Sequence, residues 1–314
     1  MTAPPPTARP RAQPGPGPTP EALLRALDLT VGRRIHGLLA GGHRAHDLGG
    51  GTELAQVRPY EAGDDVRRID WNVTARTTVP HVRVHVPERA LTTWLLVDVS
   101  PSMAFGTADR RKADVAEGVA LAIGHVATQR GNRLAVVTFG GSDDRRLPPL
   151  AGRRGLLATL AAATVDVPFD VPAAGAGPGV VTPAAALRFA ATAAPRGGLV
   201  VLVSDFRGPR DWSRAMAGAA ARHDVLAVEI RDPREDDLPD VGELTLVDGE
   251  TGRQVRVDTS SALLRARFAE RAGDERRGLA VVLRRLGVRH VVLSTKGGWL
   301  RSLASRLRVL GVGS

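Results

Sequence analysis

In the run Thr92-Thr93-Trp94-Leu95-Leu96-Val97-Asp98-Val99-Ser100-Pro101-Ser102-Met103, four apolar residues in succession end abruptly at a carboxylate. An uninterrupted apolar segment of this length, bounded by turn-forming residues, reads as a strand buried on both faces. Working outward, the same texture recurs downstream. Besides the run from Thr93 to Val99, strand-like segments lie at 134–139, 199–204, 225–230 and 288–293. Amphipathic stretches at about 111–130, 152–163, 183–194, 212–222 and 261–286 separate them. Buried strands alternating with helices of ten or more residues predict an α/β fold, a doubly wound and mostly parallel sheet of Rossmann type. Two short alternating runs, ELTLVD and RQVRVD, flank Gly249 to Gly252 and predict an inserted hairpin.

Upstream of this regular region the texture changes. Residues 1–20, MTAPPPTARPRAQPGPGPTP, are proline-rich and predict a disordered tail. Thr19-Pro20-Glu21 then supplies a capping hydroxyl, a proline at the first helical position and an early acid. With Leu23, Leu27, Val31 and Ile35 at intervals of four, they predict an amphipathic helix ended by Gly41-Gly42. Residues 43–89 are short apolar stretches cut by glycines and dense charge, which predicts a small, irregular, β-rich module. The expected organisation is therefore a tail over 1–20, a helix and small module over 21–89, and the α/β domain over 90–314.

Composition narrows the chemistry. The 314 residues include no cysteine, which removes disulfides, zinc-thiolate sites, iron-sulfur clusters and thiol nucleophiles. Apolar residues make up 43% and charged residues 24%, and no stretch approaches the roughly 18 apolar residues of a membrane span. A soluble, cytoplasmic protein is expected. The net charge of +10 is carried almost wholly by arginine, since Lys112 and Lys296 are the only lysines, and aromatics are 4% with a single tyrosine. Stacking platforms for single-stranded nucleic acid are accordingly scarce, and no nucleic-acid partner is expected.

In an open α/β sheet, ligands bind beyond the carboxyl ends of the strands. There, Asp98 and Ser100 fall on one side of the first strand by its period of two, and a turn at Pro101 brings Ser102 to the same focus. The third major strand ends in Ser204-Asp205, and Thr182 stands just ahead of a helix opened by Pro183. Two carboxylates and three hydroxyls are hard oxygen donors, suited to Mg2+ or Mn2+. With so little negative charge close by, such an ion stays electrophilic and can accept an acidic side chain from another protein. Plainer readings stand beside this one: Asp98, Ser100 and Ser102 as turn and cap residues, Thr182 as a helix cap, and Asp205 as an ordinary turn residue.

Asp98, Ser100, Ser102, Thr182 and Asp205 resemble the metal-ion-dependent adhesion site of von Willebrand factor type A domains, whose fold is the sheet outlined above. The block Arg58-Pro59-Tyr60-Glu61-Ala62-Gly63-Asp64-Asp65-Val66-Arg67-Arg68-Ile69-Asp70-Trp71, with Thr74-Ala75-Arg76, is similar to the signature of the bacterial family called domain of unknown function fifty-eight. That resemblance implies an A-type domain after the block and a MoxR-type AAA+ ATPase as partner. The charges of the block themselves read as an internal ion-pair lattice. His81 and His85 lie four residues apart on a strand, about 13 Å, too far to share one small ion.

An enzyme is the competing reading. No Gly-x-x-x-x-Gly-Lys-Ser/Thr loop is present to cradle phosphates. An aspartyl phosphatase of Asp-x-Asp type would need a carboxylate where Ser100 stands, and no Gly-x-Ser-x-Gly elbow surrounds Ser100 or Ser102. The expectation is a metal-dependent protein-binding module and no catalytic residues, with a metal-dependent phosphatase or hydrolase as the alternative.

Overall fold

The computed structural model describes residues 53–86, 92–128, 132–163, 180–194, 197–248 and 253–310. They fall into two compact units, one inside Ala40–Ala90 and one beginning at Leu91. The predicted tail and the helix from Glu21 to Leu39 lie outside the described residues.

The smaller unit pairs β1 (Glu53–Pro59) antiparallel with β2 (His81–Val86). Between them run a 3-10 turn at Val66–Arg68 and a short helix, α1 (Trp71–Thr77). The sequence reading expected a small, irregular, β-rich module here and did not single out this helix. Asp70 provides the reason for one, because its carboxylate caps the amides of Asn72 and Val73 at 3.0 and 3.2 Å. The same carboxylate receives Arg83 at 2.9 Å, while Arg58 forks onto Asp64 at 2.7 and 2.8 Å. Two ion pairs, Arg58–Asp64 and Arg83–Asp70, together with the carboxylate caps, thus hold the irregular loop.

The larger unit holds a six-stranded sheet built from β3 (Thr92–Asp98), β4 (Arg133–Phe139), β5 (Arg146–Ala151), β6 (Leu199–Ser204), β7 (Asp224–Arg231) and β10 (Arg289–Ser294). Their order is β10-β7-β6-β3-β4-β5, all parallel except β5, which runs antiparallel to β4 at the edge. This is a doubly wound sheet whose strand order reverses between β3 and β6. The predicted hairpin is present as a separate two-stranded sheet, β8 (Glu243–Val247) with β9 (Gln254–Asp258).

Two apolar layers sandwich the sheet. Leu95, Val97, Val201 and Val203 face helices α2 (Lys112–Ala127) and α7 (Trp299–Leu310), with Val115, Val119, Ile123, Leu303 and Leu307 completing that layer. Trp94, Leu96, Val200 and Leu202 face the other way, toward α4 (Pro183–Ala193), α5 (Ser213–Ala220) and α6 (Ala262–Arg285). Consecutive residues of β3 therefore enter opposite cores, which is why its sequence carries no polar alternation. A further helix, α3 (Gly152–Ala163), contributes Ala162 to the first layer.

Two elements exceed the sequence reading. β5 carries Pro148 and Pro149, residues that argue against a central strand but are tolerated at an edge. α7 places Trp299, Leu300, Leu303 and Leu307 against the core on one helical stripe. Among the described residues, no helix is long and apolar enough to cross a membrane.

Position in the sheet sets the energetic weight of each leucine. Leu95 is 0% exposed at the centre, and Leu95→Ala is expected to cost about 2–5 kcal/mol in chemical denaturation. Leu263 on α6 is 63% exposed, so Leu263→Ala should stay within about 0.5 kcal/mol of wild type. Comparable losses for the two would overturn the assigned layering.

Candidate functional site

Strand order reverses between β3 and β6, the point at which such sheets form a crevice, and Asp98, Ser100, Ser102 and Asp205 meet at the carboxyl ends of these two strands. Asp98 closes β3 and is 7% exposed. Its Oδ1 accepts from the amide of Ser100 at 2.9 Å, and its Oδ2 accepts from the hydroxyl of Ser204 at 2.5 Å. Register explains the second bond: Val97 lies opposite Val203, so the strands end side by side at Asp98 and Ser204. Pro101 then starts a 3-10 turn, Pro101–Ala104, that carries Ser102 back toward Ser100. Their hydroxyl oxygens stand 3.1 Å apart, and the Ser100 side chain does not cap the turn.

Asp205 follows β6 directly. Its Oδ1 accepts from the amide of Arg207 at 3.0 Å, and the Ser102 side chain also hydrogen-bonds to it. Phe206, between Asp205 and Arg207, has φ +54, an unusual value for an aromatic residue that the tight turn imposes at the site. Its ring packs edge-on against Trp212 at 5.5 Å, which anchors that turn on the second apolar layer.

Asp98, Ser100 and Asp205, all buried, thus form one hydrogen-bonded cluster with the half-buried Ser102. Thr182 sits at the start of α4, where its hydroxyl accepts from the amide of Ala185 at 3.2 Å as a helix cap. The segment is tied to the cluster one residue away, since the carbonyl of Val181 accepts from Gly140 at 3.0 Å. Gly140 lies directly on the site with φ +84. A Cβ there would fall 2.9 Å from that of Ser100 and 3.2 Å from Oδ1 of Asp98, so this approach admits glycine alone.

Three further participants escaped the sequence reading. Ser204 was read only as the end of a strand. Lys112, the first residue of α2, is 1% exposed and donates to Asp205 Oδ2 at 2.5 Å and to Glu235 Oε1 at 2.6 Å. Glu235 ends the 3-10 turn after β7, Pro233–Glu235, whose cap Asp232 is fixed by the amide of Thr107 and the hydroxyl of Thr295, each at 2.7 Å.

The charges divide unequally. Burial opposes ionisation of Asp205, yet the charge and hydrogen bond of Lys112 outweigh it and hold the carboxyl below its ordinary range. Asp98 lacks such a partner: burial first, and then the nearby Asp205 carboxylate, push it up to about 7. A buried carboxylate in that position is short of positive charge. Hydroxyls 3.1 Å apart also match the spacing of adjacent oxygens around a small octahedral cation, about 3 Å when each lies about 2.1 Å from the ion. Among the described residues, no group of three or more His, Cys, Asp or Glu side chains could hold a metal ion. Any ion here would rely on hydroxyls, and the donors present fit a hard divalent cation.

Residues 56–278 match the family described as "Protein of unknown function DUF58". The "Uncharacterized protein Rv1480" of Mycobacterium tuberculosis is 41% identical over 299 residues, covering 91% of this chain and 90% of its own length. The "Uncharacterized protein Mb1516" of Mycobacterium bovis matches to the same extent. Among solved structures, the conserved hypothetical protein BatB from Bacteroides thetaiotaomicron gives a TM-score of 0.42 at 11% identity, covering 71% of this chain and 100% of that one. A von Willebrand factor type A protein from Catenulispora acidiphila gives a TM-score of 0.37 at 16% identity, covering 74% and 44%.

The state of Asp98 is measurable through stability. Its folded pKa lies above its unfolded value, so its contribution favours the fold in acid and is lost as pH rises through about 7. In EDTA, the melting temperature of Asp98→Asn relative to wild type is expected to climb by several degrees between about pH 5 and about pH 8. A difference that stays flat across this window contradicts an uncompensated charge at position 98.

Proposed function

The chain belongs to the family described as "Protein of unknown function DUF58", and we propose that its doubly wound domain is a protein-binding module that works through a bound Mg2+ or Mn2+ ion. The observation that carries this reading is the cluster at the β3–β6 crevice: two carboxylates and two hydroxyls converge, and one carboxylate, Asp98, is left without a cation. Asp98, Ser100 and Ser102 would hold the ion, with Thr182 and Asp205 beside them. When bound, the ion supplies a Lewis-acidic position that takes a carboxylate oxygen from a partner protein.

The chain's own residues prepare that position. Ser204 and the Ser100 amide fix both oxygens of Asp98. The turn at Pro101 sets the spacing of the two hydroxyls. Burial at the carboxyl ends of the two central strands excludes water and strengthens each polar contact. Asp205 is satisfied by Lys112 and by the Arg207 amide, so it orients Ser102 without adding a free charge. A finer reading, resting on the resemblance of residues 58–76, makes the protein an adaptor for a MoxR-type AAA+ ATPase met in the cytoplasm.

Calorimetry with MgCl2 tests the first half. Asp98→Ala and Asp205→Ala are expected to lose roughly tenfold or more in affinity, and equal affinity in all three proteins removes the ion from the account. Affinity capture from native lysate tests the second half: specific partners should be retained in Mg2+ and released by EDTA. Capture that is indifferent to EDTA refutes metal bridging. Phosphatase turnover abolished by Asp98→Asn would favour the hydrolase alternative instead.

A further inference from the structure

Lys112 occupies a position that the adhesion-site reading does not require. Its ammonium joins Asp205 and Glu235 across 93 and 123 residues of sequence, at 2.5 and 2.6 Å. The start of α2, the end of β6 and the turn after β7 therefore meet on one buried charge. The ring of Phe105 lies 5.7 Å from the ammonium and closes its apolar side. The second oxygen of Glu235 accepts from the amide of Asp232 at 3.1 Å, and Arg207 approaches the first at 3.6 Å. A lysine stays charged in such a place only because two carboxylates face it.

The distribution of partners is one-sided. Asp205 is served by the lysine, whereas the hydrogen bonds to Asp98 come from Ser100 and Ser204, neither of which carries charge. We infer that Lys112 is the permanent cation of the site: it holds the Asp205 turn in place without a divalent ion, confines any such ion to the Asp98, Ser100 and Ser102 side, and weakens its hold. This rests on the proposed divalent site. Its consequence is a cluster that is already formed before metal arrives, with an ion that exchanges readily until a partner's carboxylate completes its coordination. Lys112 acts here as a positioning residue, through Asp205 and through charge.

The experiment compares wild type, Lys112→Met and Glu235→Gln by titration with MgCl2 and by melting in EDTA and in excess Mg2+. Lys112→Met is expected to melt about 10 °C lower than wild type in EDTA, because two buried carboxylates lose their counter-charge, and to recover a large part of that loss in Mg2+. Its Mg2+ affinity should rise by about tenfold or more as repulsion between the two cations is removed. A lysine with a purely structural role would give the lower melting point with unchanged or weaker Mg2+ binding and no recovery, and that result overturns the inference. Should Lys112→Met fail to fold, Glu235→Gln decides. It leaves the full lysine charge on Asp205 and is expected to bind Mg2+ several-fold more weakly, and an unchanged or higher affinity counts against the inference. Wild type that binds no Mg2+ refutes the proposed function on its own terms. In that case, Mg2+ binding gained by Lys112→Met still upholds the role of Lys112, and its absence overturns both.

Discussion

Three buried ionisable side chains and a fourth that is half-buried meet where the two apolar layers of this sheet run out, and finding partners for them constrains everything nearby. Asp98, Lys112, Asp205 and Glu235 come from four separate elements. Removing such charges from water is costly unless each is matched by an opposite charge or by directed hydrogen bonds. The lysine between two carboxylates, the serine beside Asp98 and the amide of Arg207 behind Asp205 supply that match. The strand order makes it feasible, because at the β3–β6 reversal the chain leaves the two adjacent strand ends toward opposite sides of the sheet.

Legibility in the sequence followed the range of the interaction. Strand β3 and its neighbours could be read because both faces are buried, so apolar content alone identifies them. The carboxylates that end β3 and β6 were legible as polar breaks after apolar runs. β5 was not: the segment Arg146-Leu147-Pro148-Pro149-Leu150-Ala151 looks like a linker, and only its place at the sheet edge makes it a strand. α7 carried a readable stripe in Trp299, Leu300, Leu303 and Leu307 but lies beyond the last strand, where no βα alternation draws attention to it.

Lys112 and Glu235 could not be paired from sequence, since 123 residues separate them and local pattern carries no information about such contacts. One clue was present. In a chain that draws its positive charge from arginine, a lysine among the apolar residues of α2 is out of character. A guanidinium is planar and larger, whereas the compact ammonium fits between two carboxylates in a buried space. Thr182 shows the opposite difficulty. Its neighbours Pro183 and Ala185 account for a helix cap completely, so sequence alone cannot assign the hydroxyl a second duty.

The prolines of β5 reach beyond the sheet that contains them. An outermost strand presents a row of amides and carbonyls on which another polypeptide can align. Pro148 and Pro149, both exposed, carry no amide hydrogen, which leaves this strand short of donors for such an alignment. Strand addition by a second polypeptide is thus disfavoured along β5, and this flank of the sheet is guarded against growth into a fibre.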